Sequence, residues 1–404
     1  MMDWYFYIAW LAILSQILFL YHCCRNYLYA LSKYRKKRNW QPSAVLIIPC
    51  KGIDKNFSKN ISSFYHQDYK NYLLWFVVGE ESDPAYTELC KLKQKLSQNT
   101  KAKDVQIFIA GQGKTCSQKM HNLLYCYHKV PDDIEILAFA DSDICVRSDW
   151  LRHIVRPLRK EKYGVASGYR WLVPEQNNLS TLILSALNAK VAQLLGYSRF
   201  NQVWGGSTAV RADTFRKLHI DETWSKALTD DLTLSRAVKK AGQQVAFVPA
   251  CLAASFEHTS WRGLFEFARR QFFITRLYAP YTWWFGLFGS LYSVLGLYGG
   301  TAMAACAAAK GSEHLRLFSS VPIIFFAGQF SRAVLRQKMI AKLLSDYHEQ
   351  LKPAAILDIL GCWLWSLLML ILILSSAFVR TIKWRGIKYK VISRDEIIVI
   401  DKRS

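Results

Sequence analysis

Two aspartates spaced i, i+2, Asp141 and Asp143, follow the apolar run Ile134-Glu135-Ile136-Leu137-Ala138-Phe139-Ala140. Such a run reads as a strand buried on both faces of a parallel sheet. Ligands of open α/β sheets bind outside the carboxyl ends of the strands. A carboxylate pair at that place can hold a hard divalent cation against the phosphates of a nucleotide. The plainer reading of two nearby aspartates is a solvated turn, and the rest of the chain argues against it.

Acidic residues recur at two further element ends. Glu80 and Asp83 follow the apolar stretch Leu73 to Val78, and Asp230-Asp231 opens a helix expected over Leu232 to Ala241. Aspartate at a helix start commonly caps it; that role is expected of Asp230. Consecutive side chains on a helix point about 100° apart, so only one of the pair can face a substrate. For Asp231, one residue into the helix, a catalytic carboxylate stands beside the capping reading.

The elements that would position these groups are legible as a βα alternation. Ala44 to Pro49 is a strand ending at Cys50-Lys51-Gly52, and Ile61 to Tyr65 belongs to the next helix. The strand Leu73 to Val78 precedes a helix opened by Pro84, at the position proline favours. Val105 to Ile109 is a third strand, Ser117 to Tyr127 a helix, and the run before Asp141 a fourth strand. Four strands alternating with helices indicate a parallel, Rossmann-like α/β sheet. No GxGxxG follows the first strand, so nothing specific supports a dinucleotide site.

An apolar fraction of 51% with 14 Trp in 404 residues points to membrane segments around that domain. Trp4 to Cys24 is uncharged and long enough to span a bilayer. A cleaved signal peptide would need a basic start and a small-residue cleavage site. Here the start is Met1-Met2-Asp3 and the exit is Lys33-Tyr34-Arg35-Lys36-Lys37-Arg38. Residues 1–32 are read as a signal anchor with its basic end, and the domain at 40–280, in the cytoplasm. Within 281–380, Thr282 to Ala309 and Ala354 to Val379 read as spans. Leu317 to Phe330 is apolar but short, and Arg332 to Lys352 reads as a helix lying on the membrane surface. A third span would put the basic tail 381–404 (Lys383, Arg385, Lys388, Lys390) outside, so Leu317 to Phe330 is expected to be re-entrant.

The net charge of +23 sits largely beside these membrane edges, where it suits anionic lipid headgroups. No nucleic-acid-binding motif is visible, and nucleic acid is excluded as a partner. The ten cysteines show no CxxC pair or metal-ligand spacing, as expected of a reduced, cytoplasm-facing domain.

Together the motifs resemble the family 2 glycosyltransferases, in their membrane-bound ceramide glucosyltransferase-like branch. The matches are Pro49 to Asp54 (PCKGID), Glu80 to Ala85 (EESDPA), Lys119 to Leu124 (KMHNLL), Asp141-Ser142-Asp143, Gly205-Gly206-Ser207-Thr208, Thr229-Asp230-Asp231, Arg270-Gln271 and Trp384 to Tyr389 (WRGIKY). The resemblance implies a GT-A fold, a UDP-sugar donor, Mg2+ or Mn2+, and an inverting transfer of a hexose, glucose by preference, to a membrane lipid hydroxyl such as ceramide. It places Glu80 and Asp83 near the uridine, Lys119 and Gln271 on the donor, and Asp141 and Asp143 at the metal, with Asp143 the more direct ligand. It makes Asp231 the base, Arg270 the group facing the leaving diphosphate, and Gly205 to Thr208 the acceptor side.

One departure matters. Relatives close with Gln/Arg-x-x-Arg-Trp, whereas this chain has Phe267-Ala268-Arg269-Arg270-Gln271, with Phe272 and Phe273 as the aromatic substitutes for the missing Trp. A processive polysaccharide synthase is the nearest rival reading, but it would need more spans and the complete motif. A transporter or scaffold would need ionisable residues patterning its spans.

Overall fold

The computed structural model describes residues 3–34, 40–384 and 386–402. The basic residues Arg35, Lys36, Lys37 and Arg38, on which the orientation reading rested, and Arg385 of the tail lie outside the described residues.

The four strands read from the pattern are present: β1 Ala44–Pro49, β2 Tyr72–Val78, β3 Asp104–Ile109 and β4 Ile136–Ala140, the last two residues shorter than expected. They pair in parallel in the order β3-β2-β1-β4. Alternate residues of β1 serve opposite faces: Leu46 and Ile48 enter one apolar cluster, Val45 and Ile47 the other. Burial on both faces is why the sequence shows unbroken apolar runs instead of alternation. Because β2 and β4 lie on opposite sides of β1, the sheet changes direction between β1 and β4. A crevice opens there beyond the strand ends, where ligands of such sheets bind.

Three strands went unread in the sequence. β5 (Tyr163–Pro174), β6 (Ser207–Arg211) and β7 (Gln244–Glu257) extend the sheet to seven strands, ordered β3-β2-β1-β4-β6-β5-β7, with only β6 reversed. β5 and β7 run on past their partners, and this extension meets the apolar helices. Trp171, Val173, Leu252 and Ala254 pack there with Ala30, Ala189, Met339, Ile340 and Leu343.

Among the described residues, three helical stretches are long and apolar enough to cross a membrane: Phe6–Tyr34, Pro280–Ala309 and Leu315–Leu343. The third corrects two expectations. Leu317 to Phe330 is not re-entrant, and the segment from Arg332 is not a separate surface helix up to Leu343, because one unbroken helix includes both. Its Arg332 and Arg336 are buried with partners. Arg336 pairs with Asp358 and donates to Gln193, and Arg332 donates to Gln16 and covers the Phe19 ring. The expected span Ala354 to Val379 falls on two helices, Ser345–Leu360 and Trp365–Ser375, that meet at 93° around residues 361–364, the shape of a broken span or of a re-entrant loop. Asp358 at the end of the first is tied to Arg336, and the Trp365 indole N–H at the start of the second donates to the Asp358 carbonyl. These bonds pin the corner.

The tail is folded. β8 (Thr381–Trp384), β9 (Ile387–Val391) and β10 (Ile397–Lys402) form an antiparallel sheet. Ile382, Ile387, Tyr389, Val391 and Ile397 of this sheet pack against Leu228, Leu232, Phe273 and Tyr278 of the larger domain.

Candidate active site

The crevice between β1 and β4 opens into a cavity of about 1880 Å³. A pocket for one small ligand holds roughly 300–1,000 Å³, so this one has room for two. Its polar lining includes Lys51 and Asp54 after β1, Lys119, Asp141 and Asp143 after β4, and Asp231.

Lys119 lies in the first turn of the helix Gln118–Tyr127, which Ser117 caps by accepting the Met120 N–H. Its ammonium sits 2.7 Å from Asp141 Oδ1 and 3.1 Å from Asp230 Oδ2. Burial works against its charge, but Asp141 and Asp230 outweigh burial and hold its pKa well above that of ordinary lysine. Asp230 is 4% exposed. Burial pushes its pKa up to about 6, with Asp231 and Asp141 adding to the rise and Lys119 opposing it.

The expectation that Asp230 caps its helix fails. The helix is Asp231–Lys240, and the Asp230 side chain makes no cap hydrogen bond; it turns inward to Lys119. Asp231 takes the local bonds instead, its Oδ1 accepting from the Thr229 hydroxyl (2.6 Å) and the Leu232 N–H (2.7 Å). Its Oδ2 has no hydrogen-bond partner among the described residues, and the residue lines the cavity.

The small residues at Gly205 and Gly206 are required by these carboxylates. A Cβ on Gly205 would lie 2.1 Å from Asp230 Oδ2, and one on Gly206 would lie 2.3 Å from the Trp204 ring and 2.8 Å from Asp141 Oδ2. Gly205 lines the cavity, but Gly206, Ser207 and Thr208 do not. Ser207 and Thr208 belong to β6 and are 0% and 2% exposed. The Ser207 hydroxyl accepts from the Trp150 indole, and Thr208 donates to the Trp204 carbonyl. Their place on the acceptor side is thus corrected to the core.

Glu80 and Asp83 do not line the cavity either. Glu80 is exposed. Asp83 caps the helix Pro84–Leu96 and also accepts the Gly52 N–H at 2.8 Å. Its tie to the site is therefore indirect, through the loop after β1.

Arg270 and Gln271, on the helix Trp261–Tyr278, face the cavity as expected. Arg270 lies over the Phe267 ring and donates to the Lys383 carbonyl of β8. Phe272 and Phe273 do not supply the missing aromatic face, since both pack into apolar clusters. Trp204 and Phe267 line the cavity instead. Neither was singled out from the sequence, although Trp204 precedes the glycine pair directly.

For a divalent cation, Asp141 and Asp143 both bring a carboxylate to the cavity wall, and Asp141 Oδ1 is also engaged by Lys119. No group of three or more His, Cys, Asp or Glu side chains among the described residues is arranged to hold a metal. The donor set suits a hard ion bound by one or two carboxylates, with substrate phosphate and water filling its other positions.

The cavity also has apolar lining: Leu18 and Phe19 of the N-terminal helix, Leu194 and Leu195, and Tyr281 and Phe285 at the start of Pro280–Ala309. Phe200 and Tyr281 are 87% and 89% exposed.

The sequence profile of glycosyl transferase family 21 matches residues 6–397. The chain belongs to this family, that of the ceramide glucosyltransferases, and is a hexosyltransferase with a GT-A-like sheet. The resemblance read from the motifs holds, under the branch's own family number. Among solved structures, the mannosyltransferase PcManGT from Pyrobaculum calidifontis, in complex with GDP-Man and Mn2+, aligns with a TM-score of 0.46 at 12% identity, over 91% of this chain and 96% of that one. GalNAc-T7 with UDP, GalNAc and Mn2+ aligns with a TM-score of 0.42 at 12% identity, over 63% of this chain and 51% of that one.

Proposed function

We propose that the protein transfers a hexose, most simply glucose, from a UDP-sugar to the hydroxyl of a membrane lipid such as ceramide, with inversion at the sugar. The carrying observation is that one cavity is lined both by Lys119, Asp143 and Asp231 and by Leu18, Phe19, Tyr281 and Phe285. A nucleotide sugar suits the first and a lipid tail the second. Leu18, Phe19, Tyr281 and Phe285 belong to two helices long enough to span a bilayer, and exposed aromatics such as Phe200 and Tyr281 suit the headgroup level.

An acceptor hydroxyl is a weak nucleophile until its proton is removed. Asp231 Oδ2 takes that proton as the hydroxyl attacks the anomeric carbon. Arg270 faces the negative charge gathering on the departing diphosphate. Lys119 fixes Asp141 and Asp230, so that the wall beneath the sugar does not reorganise. Asp143, with Asp141 as its lesser partner, would hold Mg2+ or Mn2+, which when bound offsets charge on the leaving diphosphate.

The catalytic domain is assigned to the cytoplasm, where nucleotide sugars are made available. The tail sheet packs on that domain, so both lie on one side of the bilayer. The chain between them then crosses an even number of times: Pro280–Ala309 out, Leu315–Leu343 back, and the 93° helix pair re-entrant. Tyr347, between the last crossing and that pair, meets Lys59 and Phe256 of the catalytic domain, as this path requires.

The test is incorporation of radiolabelled UDP-glucose by the purified chain in vesicles containing ceramide, with diacylglycerol vesicles in parallel. A labelled product that partitions into organic solvent is expected from ceramide. A water-soluble polymer would assign the chain to the polysaccharide synthases, and no incorporation from any UDP-hexose would sink the reading.

A further inference from the structure

The C-terminal sheet does more than cover the domain. Tyr389 of β9 is 3% exposed, among the side chains that join the two sheets. The residue lines the cavity, and its hydroxyl accepts the backbone N–H of Gln118 at 3.5 Å. Gln118 is the first residue of the ten-residue helix that carries Lys119, and a helix start favours negative charge. The phenolic proton has no acceptor among the described residues. A buried hydroxyl whose proton is unmatched incurs a desolvation penalty that a ligand oxygen would relieve.

A second group from the sheet stands on the same cavity. Arg394, in the turn between β9 and β10, lines it with its guanidinium anchored by donation from Nε to the Leu277 carbonyl at 2.6 Å. Its backbone carbonyl accepts the Tyr278 hydroxyl. Arg270 reaches the sheet from the other side through Lys383. An oxygen-rich anion at the start of the Gln118 helix would thus meet the Tyr389 hydroxyl, in a cavity that the Arg270 and Arg394 side chains also line.

We propose that the C-terminal sheet is part of the donor site, and that Tyr389 is a donor-binding residue whose hydroxyl donates to the diphosphate of the nucleotide sugar. This rests on the nucleotide-sugar reading above. It gives the tail a catalytic-cycle role: diphosphate and sheet hold one another in place. The sequence carries the trace in Ile387-Lys388-Tyr389-Lys390-Val391, whose alternation turns Tyr389 inward with Ile387 and Val391.

The experiment measures binding of UDP and, separately, GDP to the full-length chain in detergent with Mn2+ present, by calorimetry, together with kcat and the donor KM. Tyr389→Phe keeps the ring and removes the O–H. A lost hydrogen bond to a charged group corresponds to about a tenfold loss of affinity for the nucleoside diphosphate that the wild type binds. Val391→Ala is the packing control, since Val391 is buried in the same strand but does not line the cavity. The expected result is weakened diphosphate binding and raised donor KM in Tyr389→Phe, with Val391→Ala lowering melting temperature more than affinity. Unchanged binding in Tyr389→Phe overturns the assignment, as does an equal loss in Val391→Ala at matched stability. A wild type that binds neither UDP nor GDP overturns the nucleotide-sugar reading itself.

Discussion

Lys119 and Asp230 form an ion pair, 3.1 Å from Nζ to Oδ2, in a wall where Asp230 is 4% exposed. The same ammonium lies 2.7 Å from Asp141 Oδ1. One cation therefore ties the start of the Asp231 helix to the end of β4, and the adjacent acids Asp230 and Asp231 have separate work. Asp230 builds the wall, and Asp231 faces the cavity.

That division separates the two asparagine variants. Asp231→Asn is nearly isosteric but a far weaker base, so turnover should fall by roughly 10²-fold or more with donor affinity little altered. Asp230→Asn leaves the Lys119 charge with one fewer buried partner. It should reduce thermal stability and donor affinity together, because Lys119, which also holds Asp141, loses one of its two carboxylate partners. Turnover numbers, UDP-sugar affinities and melting temperatures of the two variants form the measurement. Near-native turnover in Asp231→Asn would remove it as the base.

Gly205 gives an independent handle on the same wall. In Gly205→Ala the new Cβ would lie 2.1 Å from Asp230 Oδ2, so the carboxylate must swing away from Lys119. The variant should resemble Asp230→Asn in stability and donor affinity. The pair should also be non-additive, since residues sharing one network couple. Additive losses in the Gly205→Ala/Asp230→Asn double variant would show that the glycine acts elsewhere.

The half of the sheet with βα alternation was legible because burial on both faces writes continuous apolar runs ending in charged loops. β5, β6 and β7 were not, because Tyr163–Pro174 and Gln244–Glu257 mix Gly, Ser, Ala and Pro with apolar residues and extend beyond their sheet to meet the apolar helices. The site's acids were found by type and position, yet their assignments needed geometry. Asp230 has the sequence of a cap and the contacts of an ion pair, a difference set by Lys119 more than a hundred positions away. Arg332 ended the apolar run to the eye, and only its buried contacts with Gln16 and Phe19 show how the helix continues through it. The tail's charges concealed a period-2 pattern in which every second residue is buried.

Asp143→Asn tests the metal reading without depending on the acceptor. Removing a direct ligand should cost no less than the roughly 10–100-fold that outer partners of metal ligands cost. UDP affinity in Mn2+ should fall by at least that lower figure. In EDTA the wild type should fall to meet the variant. A variant whose affinity still rises on adding Mn2+ as steeply as the wild type would place the ion elsewhere.

Topology gives a prediction independent of chemistry. With the tail sheet packed on the catalytic domain, an epitope appended to the C-terminus and the domain around Asp141 should share one side. In sealed vesicles with the cytoplasmic face inside, added protease should spare both, and detergent should expose both. Loss of the epitope while the domain survives would require an odd number of crossings and would contradict the sheet's packing.

Arg336 and Asp358 carry the last prediction. Asp358 is 0% exposed and accepts from both Arg336 and Gln337, the latter at 2.6 Å. Replacing one member of a buried pair leaves the other's charge uncompensated, at roughly 3–5 kcal/mol, whereas replacing both with apolar residues is often neutral. Asp358→Leu should therefore lower the melting temperature sharply, and Arg336→Leu/Asp358→Leu should restore much of it. Activity should follow stability in both, since the pair lies among the apolar helices and does not line the cavity. Losses in the double variant that equal the sum of the single losses would mean that the two charges do not compensate one another, and the 93° corner would then need another explanation.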